Sequence, residues 1–246
     1  MTRDTGELNV YDTPAEVAKA MADLFVASAG DAIAARGCCV VALAGGTTPK
    51  AAYQLLAKEP YASALDWSKV HVFFGDERCV PPGNDQSNYK MANEAFMASV
   101  GIPPGNVHRM RGEDDPADAA ASYRDELISV LGVDPRFDLV MLGMGPDGHT
   151  ASLFPGSNPA DGDEMLVRAV YSTSQQQWRI TLTPKILNGA RTVVFAAEGA
   201  GKTAILKLVR EGPYDPSKLP SQSIAPREGR LIWLVDKAAA GVEVAP

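Results

Sequence analysis

The stretch Cys38-Cys39-Val40-Val41-Ala42-Leu43-Ala44-Gly45-Gly46-Thr47-Thr48-Pro49 decides the fold. Cys38–Ala44 is continuously apolar, the pattern of a short strand covered on both faces of a parallel sheet. Two glycines and two threonines follow at once, and a helical stretch then runs through Leu56. In this reading Thr48 caps the helix and Pro49 starts it. Glycines let a backbone approach an anion closely, and a helix N-terminus offers it free N–H groups. The alternative is a tight turn with an N-cap, which one glycine and one threonine would satisfy.

Outward from this unit, strands and helices alternate. On the N-terminal side, Leu8–Asp12 reads as a strand, and Thr13-Pro14-Ala15-Glu16 as a capping box opening a helix to about Arg36. On the C-terminal side, Val70–Gly75, Phe137–Met144, Thr192–Ala197 and Leu231–Asp236 are apolar strand candidates. Leu166–Tyr171 and Trp178–Leu182 are weaker ones. Helical patterns cover Ser87 to about Val100, Pro116–Leu131, a short piece capped by Thr183-Pro184, and Gly201–Arg210. The alternation predicts an α/β fold: three layers, α/β/α, around a mainly parallel Rossmann-like sheet. With no internal repeat or low-complexity linker, residues 1–246 are expected to form a single domain.

Composition sets outer bounds. The 246 residues are 46% hydrophobic and 22% charged, with net charge −7. An acidic balance without a basic stripe predicts neither nucleic acid nor an anionic membrane as partner. A small anionic substrate remains compatible, because a local site can be basic within an acidic protein. The three cysteines include an adjacent apolar pair and form no C-x-x-C, which fits buried thiols rather than a disulfide framework or zinc ribbon. Met1–Glu7 lacks the apolar core of a secretory leader, and no apolar run reaches membrane-span length. A cytoplasmic setting is the expectation.

In an open parallel sheet, ligands bind beyond the carboxyl ends of the strands. The segments there are Gly45–Pro49, Asp76–Arg78, Gly143–His149 and Glu198–Lys202, and they are expected to meet at one rim. Two of them imitate nucleotide motifs. Gly143-Met144-Gly145-Pro146-Asp147-Gly148 matches G-x-G-x-x-G, but that fingerprint must open a long helix. Here Pro155-Gly156 arrives six residues after His149, so the glycines are read as bending the chain to face Asp147 and His149 toward a substrate. Ala196–Thr203 nearly matches the Walker A loop, yet only 43 residues follow, too few for the rest of that core. Its local physics survives, since backbone amides and Lys202 suit a phosphate.

His149 is one of three histidines. A lone histidine is more often structural than catalytic. Its place in a glycine-rich strand-end turn, two residues from Asp147, reverses that weighting. Neutral imidazole can take a proton from water at physiological pH. His71 and His108 are read as structural. There is no G-x-S-x-G elbow and no H-E-x-x-H. Water, one base and an anion pocket remain, with no metal expected.

Taken together the rim segments resemble a known family. Ala42–Pro49 is similar to its phosphate loop; Phe74–Pro81 with Asp85–Tyr89 to its second signature; Gly143–Gly156 to its third and most specific. Arg179–Thr183, Gly201-Lys202 and Trp233–Ala240 fit later segments, in order, from about Val10 to Ala240. The family is 6-phosphogluconolactonase, whose fold is of the glucosamine-6-phosphate isomerase/ribose-5-phosphate isomerase type. The resemblance implies hydrolysis of 6-phospho-D-glucono-1,5-lactone to 6-phosphogluconate, in the oxidative pentose phosphate pathway, without a cofactor. It implies His149 as general base and a phosphate held among Gly45, Gly46, Thr47, Thr48, Arg78, Arg179 and Lys202. Asp76, Asn88 and Asp147 contact sugar hydroxyls or orient the histidine, and their roles stay unranked. Arg78 or a backbone N–H within Gly145–His149 are the candidates for stabilising an oxyanion. The partner expected is the small sugar-phosphate lactone, with the chain a monomer or weak homo-oligomer.

Two rival functions share part of this pattern. The isomerases that share the fold carry Asn-Glu-Pro after the histidine and use that glutamate; this chain has Leu153-Phe154-Pro155, and Phe154 cannot carry a proton. A non-catalytic sugar-phosphate sensor needs the anion clamp but neither Asp76 nor His149.

Overall fold

The computed structural model describes residues 4–156 and 164–242. Six strands form one all-parallel sheet: β1 (Glu7–Tyr11), β2 (Cys39–Leu43), β3 (Val70–Phe74), β5 (Leu139–Gly143), β8 (Thr192–Ala197) and β9 (Arg230–Asp236), in the order β1-β9-β8-β5-β2-β3. A smaller sheet adds β4 (Asp76–Arg78), β6 (Val167–Ser172) and β7 (Gln177–Leu182), in the antiparallel order β4-β7-β6. The parallel sheet and the α/β class match the expectation, and this second sheet adds to it. Asp76–Arg78 reads as a strand-end turn because its strand partner lies about a hundred residues downstream.

The alternation within each central strand divides the core. Val41, Leu43, Leu139, Met141, Val194 and Leu234 face one side, where α1 (Pro14–Arg36) and α2 (Thr47–Leu56) pack through Met21, Phe25, Tyr53 and Leu56. Ala42, Val140, Leu142, Val193 and Phe195 face the other, toward α5 (Pro116–Leu131), α7 (Thr203–Glu211) and β7 of the small sheet. All five residues of β2 are buried, as its unbroken apolar run requires.

Local signals account for most helix ends. Thr13 and Glu16 form the reciprocal capping box, and α1 stops at Gly37. The α2 start differs from expectation: Gly46 is the N-cap, the helix begins at Thr47, and no side chain caps it. Thr47 and Thr48 therefore sit in the first turn with amides that no i−4 carbonyl can take. Thr183 does occupy the cap of α6 (Pro184–Leu187), but its hydroxyl donates to the Met165 carbonyl instead. The Ser87–Val100 helix is α3 (Asn88–Ala92) and α4 (Ala98–Val100) joined by a π-helical turn at Asn93–Met97. No helix among the described residues is long and apolar enough to cross a membrane.

Strand β2 has β3 on one side and β5 on the other. The chain's progress across the sheet reverses between β2 and β5, which opens a crevice at their carboxyl ends. Two buried tyrosines fix its walls. Tyr53 of α2 bonds both the N–H and the carbonyl of Ala44 at 3.0 Å. Tyr123 of α5 bonds the N–H (2.7 Å) and carbonyl (3.2 Å) of Phe74. Burial raises both phenols above their ordinary range, so each keeps the proton with which it donates.

Candidate active site

The crevice holds a cavity of about 350 Å³. All four rim segments reach it, as expected from the parallel sheet. Of the residues singled out from sequence, Gly45, Gly46, Thr47, Thr48, Asp76, Arg78, Asn88, His149, Arg179 and Lys202 line it. Asp147 does not: it stands behind His149.

The turn after β5 is closed on itself. The Gly145 N–H donates to the His149 carbonyl (2.8 Å), and the Gly148 N–H to the Gly145 carbonyl (3.1 Å). The His149 N–H donates to Asp147 Oδ1 (3.1 Å), and the same oxygen lies 2.5 Å from His149 Nδ1. These three amides are thus committed within the turn and are not available to an oxyanion. A Cβ on Gly145 would lie 2.1 Å from His149 Nδ1 and 2.7 Å from Asp147 Oδ1, so only glycine lets the chain pass so close to the pair. Ala151 follows at φ 47°, an uncommon conformation for a residue with a side chain, and it too lines the cavity.

Burial favours a neutral Asp147, but the amide and ring of His149 outweigh it and hold the carboxyl below its ordinary range. An ionised carboxylate only accepts, so the proton between the pair belongs to Nδ1, and in the neutral ring Nε2 carries the lone pair. The imidazole packs 5.1 Å, centroid to centroid, from the ring of Phe154.

Asp76 is held elsewhere. Its carboxylate accepts from Ser152 Oγ (2.6 Å) and from Asn88 Nδ2 (3.2 Å). Asn88 also donates to the Asp76 carbonyl (2.9 Å), and a Cβ on Gly45 would lie 2.0 Å from Asn88 Oδ1. The glycine of the first rim segment therefore makes room for the second. Between the two aspartates that sequence left unranked, the histidine's partner is Asp147.

The cationic side combines three elements. Arg78 and Arg179 oppose each other in the β4–β7 ladder. Lys202, in a 3-10 turn (Ala200–Lys202) before α7, donates to the Met144 carbonyl at 2.8 Å. Burial lowers the Lys202 ammonium below its ordinary range, and Asp147 pulls it partly back. Burial, with the charge of Arg78, lowers Arg179 in the same sense.

Three contributors escaped the sequence reading. Glu77 is buried and accepts from the N–H groups of Arg78, Asn88 and Tyr89 (2.8 Å each) and from Ser87 Oγ (2.9 Å), anchoring the start of α3 and hence Asn88. Its place between two singled-out neighbours was the only signal. Ser152 lay three residues past His149. Gln175, on the β6–β7 turn, also lines the cavity and carried no signal at all. His71 and His108 lie apart, with His71 Nδ1 3.2 Å from His108 Nε2 and His108 Nδ1 2.7 Å from Glu126. Among the described residues, no group of three or more His, Cys, Asp or Glu is placed to hold a metal ion.

Comparison with known proteins agrees with this architecture. The family model for glucosamine-6-phosphate isomerases/6-phosphogluconolactonase matches residues 12–233. A 6-phosphogluconolactonase of Synechocystis sp. is 41% identical over 213 residues, 85% of this chain and 86% of that one. One from Nostoc sp. is 39% identical over 238 residues, 95% of both chains. The solved structure of the 6-phosphogluconolactonase from Trypanosoma cruzi matches with a TM-score of 0.88 at 28% identity, covering 100% of this chain and 99% of that one. By both the family model and these relatives, the chain belongs to the glucosamine-6-phosphate isomerase/6-phosphogluconolactonase family.

Proposed function

We propose that the chain is a 6-phosphogluconolactonase, which hydrolyses 6-phospho-D-glucono-1,5-lactone to 6-phosphogluconate. The observation that carries the reading is the His149–Asp147 pair at a cavity that Arg78, Arg179 and Lys202 also line. A base and an anion clamp at one cavity suit a substrate that carries both a reacting carbonyl and a phosphate. The names of the relatives agree with it.

In this reading the phosphate docks on the first turn of α2, Arg78, Arg179 and Lys202. Asp147 holds the imidazole with Nε2 free. His149 Nε2 takes a proton from water as the water oxygen bonds to C1 and the carbonyl becomes an oxyanion. Collapse breaks the bond from C1 to the ring oxygen, and the imidazolium returns its proton to that leaving alkoxide. The balance is lactone plus water to hydroxy acid, whose carboxyl then ionises. General-base help is worth about 10²–10⁴-fold, and positioning through the phosphate adds to it. Asp76, fixed by Ser152 and Asn88, accepts from a sugar hydroxyl. Phe154 fills with an apolar ring the position that the isomerase pattern gives to glutamate, which supports hydrolysis over isomerisation. We read residues 1–246 as one catalytic domain working in the cytoplasm as a monomer or weak homo-oligomer.

The test is an assay with freshly generated 6-phosphogluconolactone in the presence of a chelator. Lactone loss well above the spontaneous rate, unchanged by the chelator, supports the reading. Binding of 6-phosphogluconate without faster lactone loss would support a sensor instead.

A further inference from the structure

Arg78 and Arg179 are opposed in the ladder and both reach the cavity, yet among the described residues neither has a carboxylate at ion-pair distance. The acids nearby are already engaged, Glu77 by four donors and Asp76 by Ser152 and Asn88. Each guanidinium has a neutral acceptor instead. Arg78 Nη1 donates to the backbone carbonyl of Gln86, and Arg179 Nη2 donates to the side-chain oxygen of Gln175. No ion pair closes on either guanidinium, although the charges of Asp76 and Glu77 act on Arg179 from a distance.

The two acceptors differ in what it takes to remove them. Gln86 offers main chain, and its side chain is clasped by Gln177 Nε2 at 3.0 Å. Gln175 offers the tip of an exposed side chain on the β6–β7 turn, and that tip already lies in the cavity. Arg179 is itself only 5% exposed, so a donor left without any acceptor there carries a desolvation penalty. A neutral amide removes that penalty for Nη2 without forming an ion pair that an incoming anion must break.

We propose that Gln175 is a specificity-determining place-holder: with no ligand bound it satisfies Nη2 of Arg179 and keeps the guanidinium in the cavity, and a phosphate oxygen replaces it on binding. The proposal rests on the reading above for the identity of the phosphorylated substrate. Its essential property is neutrality. A carboxylate at this position holds Arg179 more tightly and cancels the charge that attracts the dianion.

The experiment compares wild type, Q175E and Q175A in three measurements: turnover of 6-phosphogluconolactone, turnover of the unphosphorylated lactone, and binding of inorganic phosphate by calorimetry. The turn position is exposed, so both variants are expected to fold. For Q175E the expected result is a KM for the phosphorylated lactone raised about tenfold or more, and phosphate binding weakened in step. Its kcat and its KM for the unphosphorylated lactone stay within about twofold, and Q175A loses no more than about threefold in KM. A Q175E enzyme indistinguishable from wild type, equal KM changes on both lactones, or Q175A losing as much as Q175E overturns the proposal. Phosphate binding is read without turnover. A wild-type protein that binds phosphate but does not hydrolyse the lactone thus defeats the proposed reaction and still judges Gln175.

Discussion

Asp147 Oδ1 lies 2.5 Å from His149 Nδ1 and accepts the same residue's backbone N–H at 3.1 Å. One carboxylate oxygen thereby fixes both the tautomer and the orientation of the ring. Asp147→Asn removes the charge and lets the amide present either a donor or an acceptor to Nδ1. By analogy with other carboxylate–histidine pairs, kcat should fall by about 10²-fold or more while KM for the lactone changes little. Steady-state kinetics checks this, and a change confined to KM would remove Asp147 from the chemistry.

Gly145 makes the pair possible. Alanine there puts a methyl group 2.1 Å from His149 Nδ1, and the ring, not the backbone, is the part able to yield. Gly145→Ala should lower kcat by about 10²-fold, in the range of losing general-base assistance, with a much smaller effect on 6-phosphogluconate affinity. Kinetics combined with calorimetry separates the two effects.

Lys202 predicts a pH dependence. Burial lowers its ammonium below the ordinary lysine value, and the charged form is the one that attracts phosphate. Contact is therefore complete on the acid side of the lysine's titration and is lost as pH rises through it. A sugar phosphate is already a dianion above about pH 7, so the ligand contributes no further change there. Affinity for 6-phosphogluconate should decline at a pH below the ~10.4 of a free lysine, and Lys202→Arg should flatten that decline. A parallel decline in both proteins contradicts the assignment. Lys202→Ala and Arg179→Ala should each raise KM more for the phosphorylated lactone than for the unphosphorylated one.

Glu77 predicts a stability effect. Four donors converge on its buried carboxylate, and Glu77→Ala leaves them without a partner. Loss of about 3 kcal/mol in denaturant unfolding is expected, together with weakened activity because Asn88 and Asp76 lose their support. A loss under about 0.5 kcal/mol, the size of an ordinary surface change, would contradict the anchoring role.

The parallel sheet was legible because each of its central strands is an apolar run ending in glycine or charge, and the rim followed from strand direction alone. The small antiparallel sheet was not legible. Asp76–Arg78 is three polar residues that become a strand only against Arg179–Thr181, and no local pattern encodes so distant a partner. The start of α2 differs because a Thr-Pro pair is a strong local cap signal, whereas Gly46 takes the cap and both threonines enter the first turn. Asp147 could be picked out but not distinguished from Asp76, since both follow strand ends. Only the closed Gly145–His149 turn separates them. Gln175 was invisible because its role comes from lying across a hairpin turn from Arg179.

The most direct measurement sets His149→Ala beside wild type, following loss of freshly generated 6-phosphogluconolactone and, on the same preparations, affinity for 6-phosphogluconate. The variant's lactone loss should fall toward the spontaneous rate while product affinity stays within about threefold, because the base acts on water and not on the phosphate. Turnover near that of wild type would contradict it.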